Sequence, residues 1–260
     1  MWNKRDELER LRDRLSAAPS RAGAPGRRLS LGWAEIDGHL GGGLKRGAVH
    51  EIFAEAGGEA QSADGFALGL ALRLQAPALV WAVERRALPE TGLPYGAGLK
   101  DWGLDPAALI LVQVRDASQL LAAGEEALAS GAAPAVILSG WGEAKALTLT
   151  ASRRLAFAAQ KGRATCFFVR AGVDPAPSAA ETRWSVAAAP SQPLDARAPG
   201  RPAFTASLQR SRAGAPPRSW ILEWDRETRS FAPPAASGGL VSLPRHRPAG
   251  AGAGGVERAA

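Results

Sequence analysis

Apolar residues in this chain come in short bursts separated by longer amphipathic stretches. The bursts at 49–54, 78–83, 109–114, 135–139 and 165–170 have the length and composition of buried strands. Between them, 66–75, 118–130 and 148–160 carry apolar residues at helical spacing, for example Leu120, Leu121, Ala127 and Leu128. The pattern predicts loops at 56–65 and an irregular Gly/Pro-rich stretch at 87–103. Short apolar strands alternating with helices imply a mostly parallel sheet covered on both faces, with right-handed crossovers. After Gly172 the pattern changes. An Arg/Pro-rich irregular segment spans 174–218, with short strands expected at 184–188 and 204–210. The run 220–224 (WILEW) is a clear strand that turns at 225–228 and returns at 229–231, giving an antiparallel extension at the sheet edge. Trp220 and Trp224 fall on one side of that strand, as core residues or as a contact surface.

The two ends read differently. Residues 2–17 form an amphipathic helix with Leu8, Leu11 and Leu15 on one face, suited to docking on the domain or to binding a partner. A linker follows, so residues 1–28 stand apart from a domain at 29–232. Pro, Gly and Ala dominate 233–260, which reads as a disordered tail.

Composition narrows the class. The 260 residues, 46% hydrophobic, suit one α/β domain with flexible ends. No run approaches the ~18 apolar residues of a membrane span, and the charged N-terminus lacks a secretory apolar run. A single cysteine, Cys166, cannot form an internal disulfide. The expectation is a cytoplasmic protein with no membrane partner. The net charge of +7 rests mostly on Arg. Excess Arg, Ala and Gly is what a GC-rich genome would give, and equally what an electrostatic footprint for DNA or an acidic protein would give.

The run 29–53, LSLGWAEIDGHLGGGLKRGAVHEIF, carries the most specific signal. Asp37, Leu40, Gly41, Gly42, Gly43, Leu44 and Gly47 precede the strand containing His50, Glu51 and Ile52. Glycines alone would mark only a turn. The whole run, with the strand after it, resembles the approach to the nucleotide site in the RecA family. The order of strands and helices matches through Arg170. The resemblance implies a RecA-like three-layer α/β fold: a mostly parallel central sheet, an antiparallel edge extension and a degenerate P-loop.

The loop after that strand departs from the family. A working P-loop cradles phosphates with backbone N–H groups, neutralises them with Lys and holds Mg²⁺ with a hydroxyl. Here the loop positions are Gly57, Gly58, Glu59, Ala60 and Gln61, and residues 54–65 contain no Lys. Glu55, Glu59 and Asp64 place negative charge where a polyphosphate would lie. Gly57 and Gly58 leave room for weak anion binding at a helix start, not for tight ATP binding. The Walker-B-like strand ends in Ser139-Gly140, where the family carries an acidic residue. Arg170-Ala171 stands where RecA carries a γ-phosphate-sensing glutamine. Glu84, or Arg85 one residue on, lies near the family's water-activating Glu; without metal or phosphate contacts Glu84 reads as a solvated strand-end residue. The histidines, His39, His50 and His246, are dispersed, and no nucleophile elbow or metal-ligand spacing occurs. We therefore expect no enzyme activity, no cofactor and no metal.

The charged N-terminal helix, the Leu40–Glu51 pattern, Gly65-Phe66-Ala67 opening the next helix, Trp81-Ala82, and the Arg/Pro-rich stretch before Trp220 and Trp224 together resemble the ImuA family, related to SulA. That resemblance implies an accessory role in an SOS-induced mutasome. The partners it implies are a Y-family-like polymerase subunit and an error-prone polymerase, with RecA and DNA as further candidates. A SulA-like cell-division inhibitor and a divergent RecA-like ATPase are the alternatives. The candidate contact residues for DNA or a partner are Arg183, Arg197, Arg201, Arg210, Arg212 and Arg218, opposed in that stretch by Asp195 alone. A phosphate-tracking surface, a surface for an acidic protein and a merely solubilising stretch all fit them.

Overall fold

A computed structural model describes residues 28–191 and 200–234. The expected N-terminal helix, the tail from residue 235 and Arg197 lie outside the described residues. Arg28–Leu29 (β1) pairs antiparallel with Leu44–Lys45 (β2), closing the glycine turn between them. Gly41, Gly42 and Gly43 have φ of 67°, 103° and 106°, the left-handed region that suits glycine. A Cβ on Gly43 would stand 2.1 Å from Leu29 O, so the turn tolerates no side chain there. Asp37, on the short helix Ala34–His39 (α1), accepts from Ser30 Oγ at 2.6 Å and Leu31 N at 2.7 Å. The family-like motif is thus an entrance to the sheet held together by the Asp37 carboxylate.

The main sheet has nine strands, in the spatial order Ser230–Ala232, Arg218–Asp225, Ala203–Ser211, Thr182–Ala188, Val49–Ala54, Thr165–Ala171, Ala135–Trp141, Leu79–Glu84 and Leu109–Val114. The strands Val49–Ala54 (β3), Leu79–Glu84 (β4), Leu109–Val114 (β5), Ala135–Trp141 (β6), Thr165–Ala171 (β7) and Thr182–Ala188 (β8) run parallel. Ala203–Ser211 (β9), Arg218–Asp225 (β10) and Ser230–Ala232 (β11) extend it antiparallel. The strands expected inside the Arg/Pro-rich segment are therefore longer than the sequence pattern marked, and they are ordered members of the sheet.

Alternation along each strand sends side chains into two cores. Val136, Leu138, Cys166 and Phe168 pack beneath Ala117–Ser130 (α5) and Leu149–Gly162 (α6). Ala135, Ile137, Phe167 and Val169 pack on the other face beneath Ala60–Arg73 (α2). Asp116 and Thr148 cap α5 and α6, accepting from Gln119 N and Ala151 N, and Gly131 ends α5 with φ 64°. This is the three-layer arrangement the sequence predicts.

Two expectations are corrected. The loop expected at 56–65 is a 3₁₀ turn at Gly57–Glu59 running straight into α2 at Ala60, six residues before the expected start. Asp64 and Gly65 look like loop residues because one is charged and the other breaks helices. Both are held in the helix by what they meet. Gly65 faces Trp102 and Phe204, and Gly69 one turn later faces Phe231 and Trp224. A Cβ on Gly69 would come within 2.5 Å of Phe231 Cζ, so glycine lets α2 sink onto the aromatic antiparallel edge. Trp184, Trp220, Trp224 and Phe231 are all buried there. The stretch 87–103 is also not wholly irregular: it holds the short helices Leu88–Thr91 (α3) and Gly96–Asp101 (α4). Among the described residues no helix is long and apolar enough to cross a membrane.

Candidate functional site

The C-terminal ends of β3, β4, β6 and β7 meet the start of α2, where the sequence places its degenerate loop. The loop is tied to its own protein. Glu55 N donates to Val186 O at 2.9 Å, and Glu59 Oε2 accepts from Ala188 N at 2.7 Å and Ser62 Oγ at 3.0 Å. The carboxylate of Glu59 therefore takes the backbone donor at the end of β8. Ala60 is buried, so its position belongs to the core rather than to a ligand. Gln61 Nε2 donates to Glu90 O at 2.7 Å, and Gly57 and Gly58 are exposed. The indole of Trp141 reaches from Gly57 across to Gly172, the turn after β7; Cβ atoms on those glycines would lie 3.9 and 3.4 Å from it. An aromatic ring thus stands over the strand ends.

Below the loop lies a buried polar chain that the sequence pattern did not mark. Trp81 Nε1 donates to Ser139 Oγ at 2.9 Å, and Ser139 donates to Asp64 Oδ1 at 2.7 Å. Burial pushes the Asp64 carboxyl up to about 7, against the opposing pull of the Ser139 hydroxyl. Ser139, at the Walker-B-like position, is spent on this chain. Glu84 is corrected from solvated to buried: it is 1% exposed, its Oε2 accepts from Trp141 N at 3.3 Å, and its Oε1 has no partner among the described residues. Arg85, the competing position, is exposed. Arg170 is buried, with its guanidinium 5.4 Å from the Phe53 ring centre and 5.8 Å from that of Phe168. Burial lowers its affinity for its proton, while the charge of Glu51 acts the other way.

The candidate arginines separate into two sets. Arg183 Nε and Nη2 donate to Glu51 Oε2 at 3.1 and 3.0 Å, and Arg183 also bonds Ser178 Oγ and Ala176 O. Arg210 Nη2 donates to the carbonyls of Ser178 and Ala180, both at 3.2 Å, and Arg212 reaches the same two carbonyls at 3.4 and 3.1 Å. These three converge on 176–181 and pin that segment beside α6, where Ser152 Oγ accepts from Ala179 N at 2.8 Å. Arg201 pairs with Asp225 at 3.0 Å, and Arg218 pairs with Glu35 and covers the Trp220 ring at 5.3 Å. The structure brings Arg183, Arg210 and Arg212 together and leaves Arg201 and Arg218 apart. Arg212 and Arg218 are exposed.

His39 and His50 also serve the fold, and His246 lies outside the described residues. His39 Nε2 lies 2.8 Å from Pro216 O, and buried His50 bonds Thr182 Oγ1 at 2.8 Å and Lys45 O at 2.9 Å. Burial lowers His50 to about 4, so it is neutral at physiological pH. Burial pushes the Cys166 thiol up, which makes it inert. Among the described residues no His/Cys/Asp/Glu group could hold a metal ion.

A cleft of about 240 Å³ opens between α2 and the α3–α4 stretch. Gln61, Asp64, Leu68, Trp81, Tyr95 and Trp102 line it. Gln61, Asp64 and Leu68 recur at helical spacing, so the available signal was an acidic residue on the inward face of an otherwise apolar helix.

No protein-family model matches the chain, and no curated protein matches it in sequence. It is similar to a solved structure, the crystal structure of the RadB recombinase, at 16% sequence identity and a TM-score of 0.54, over 78% of this chain and 98% of that one. At that identity the likeness concerns the fold, and the chain has a RecA-like α/β fold: a mostly parallel sheet with an antiparallel extension.

Proposed function

We propose that this chain is a non-catalytic RecA-like accessory protein of the SOS-induced mutasome, which binds the Y-family-like polymerase subunit and so supports error-prone translesion synthesis. One observation carries the non-catalytic part. Glu59 turns its carboxylate onto Ala188 N and Ser62 where a phosphate cradle would need a cation, and Ala60 is buried in the core beside it. Trp141 over the strand ends and Ser139 committed to Asp64 support the same reading. The motifs shared with the ImuA family support the mutasome setting, and a fold shared with a recombinase suits a protein of DNA transactions. Arg183, Arg210 and Arg212 are spent internally, so exposed Arg218, held only by a surface pair with Glu35, is the member of the set offered to a partner. Co-elution of the full chain with the polymerase-like subunit tests the reading. Stable co-elution at low salt is expected, weakened severalfold by Arg218→Glu. A folded chain that elutes alone at low salt, or one that turns over Mg-ATP, overturns it.

A further inference from the structure

We infer that the cleft between α2 and the α3–α4 stretch is a receptor for an arginine side chain presented by a protein partner. This stands independently of which partner the mutasome reading names. The anchor is Asp64. Only 9% of it is exposed, its Oδ1 accepts from Ser139, and its Oδ2 accepts no hydrogen bond from any described residue. Asp64 itself lines the cleft. A carboxyl held in such surroundings is poorly compensated as an anion, and a cation entering the cleft would supply what is missing.

The walls specify the kind of cation. Trp81 and Trp102 line the cleft with Asp64, so a flat, weakly hydrated guanidinium meets indole surface and a carboxylate together. Both indoles are fixed from behind. Trp81 is bonded to Ser139, and Trp102 stacks on Trp224 at 5.7 Å with an interplanar angle of 17°. The site is therefore formed before anything enters it, which lowers the ordering cost of binding. The rim commits the source of the arginine to a protein. Leu93 is 47% exposed and Tyr95 76% exposed at the mouth, among the few large apolar side chains left in water among the described residues. A free metabolite would leave them wet, whereas the residues flanking an arginine in a polypeptide would cover them.

The charge environment is simple. Of the residues lining the cleft, Asp64 and Tyr95 are the ones that titrate. On the neighbouring elements, Glu59 faces Ala188 N, Glu84 faces Trp141 N, and Glu90, Lys100 and Asp101 are exposed and do not line it. With Asp64 near 7, arginine binding should weaken about tenfold from pH 8 to pH 6, as the ionised fraction falls.

The test uses the full chain and capped arginine (N-acetyl-arginine amide), read through tryptophan fluorescence at pH 8. A saturable change with Kd on the order of 1 mM is expected for so small a probe. Capped norleucine should give none, and capped lysine should bind more weakly. Asp64→Asn keeps an acceptor for Ser139 and should cost at least tenfold. Gly98→Leu leaves Asp64 untouched and should also abolish binding, because Gly98 lines the cleft and its Cβ would enter open space. No saturable response up to about 50 mM, a little-altered response in either folded variant, or equal binding of capped norleucine or lysine overturns the assignment. Uncapped arginine binding tenfold tighter than the capped form would instead make the site one for a free metabolite and overturn the protein source.

Discussion

Two regions of this molecule look functional in sequence, and β3 borders both. On one side is the degenerate loop with its glycines and acids. On the other is the arginine-rich stretch that becomes β8 and β9. The loop is acidic and contains no cation, yet Glu59 is engaged with Ala188 N, and Asp64, which the structure places in α2, with Ser139. The arginine-rich stretch looks like a surface for phosphates, yet Arg183, Arg210 and Arg212 hold one internal segment to the sheet. The difference lies in how each region spends its charge. The arginines meet carbonyls and a carboxylate, with Arg210 Nε alone of their donors buried without a partner among the described residues. The carboxyl groups of Asp64 and Glu84 keep an oxygen without a partner among the described residues. Unpartnered carboxyl oxygens therefore lie beneath the loop, whereas each of the three guanidinium groups is held by at least two acceptors.

The largest expected effect is on the arginine side. Glu51→Ala leaves the Arg183 guanidinium, 12% exposed, without its carboxylate and loosens Ser178; a loss of about 3–5 kcal/mol in chemical denaturation is expected. A loss below about 1 kcal/mol would mean that the arginines are not structural.

Next comes pH. His50, lowered to about 4 from 6.5, stabilises the fold above about 6.5, and that contribution is lost as pH falls toward 4. Asp64, raised from 3.8 to about 7, acts oppositely: its contribution is present below about 4 and lost as pH rises through 7. The two oppose each other across pH 4–6.5 in the native chain. Asp64→Asn should therefore steepen the loss of stability on acidification, and His50→Gln should reverse its slope, each by on the order of 2 kcal/mol over that window. Parallel stability–pH curves for the three proteins would refute the burial of one or both groups.

Smaller effects separate the regions further. Gly69→Ala should cost about 1–2 kcal/mol in denaturation despite the better helix propensity of Ala, because Phe231 must move. A stabilised variant would show that α2 does not sit so close to the edge strands. Glu59→Ala should cost about 1 kcal/mol and raise hydrogen exchange at the Ala188 amide; unchanged exchange would show that the loop is not tied to β8. Arg218→Ala removes a half-exposed pair with Glu35 and should cost under about 1 kcal/mol, leaving its surface role to be read by co-elution.

Much of this fold was legible from pattern alone. β3 and β5 lie where the apolar runs place them, since a buried parallel strand admits little but apolar residues. The start of α2 was not legible, because Asp64 and Gly65 carry loop signals that only tertiary contacts with Ser139, Trp102 and Phe204 override. Nor was the fate of the arginines, whose partners are mostly main-chain carbonyls and leave no mark in sequence. The absence of a P-loop lysine was readable at once. The cleft beside it was not, since Asp64, Trp81 and Trp102 converge from separate elements.

The most direct measurement is equilibrium binding of Mg-ATP to the full chain, followed by dialysis with labelled nucleotide at low salt. Glu59 bound to β8, buried Ala60 and Trp141 over the strand ends predict no saturable binding up to the millimolar range. Saturable binding with a micromolar Kd would contradict a non-catalytic partner-binding protein and restore the strand ends as a nucleotide site.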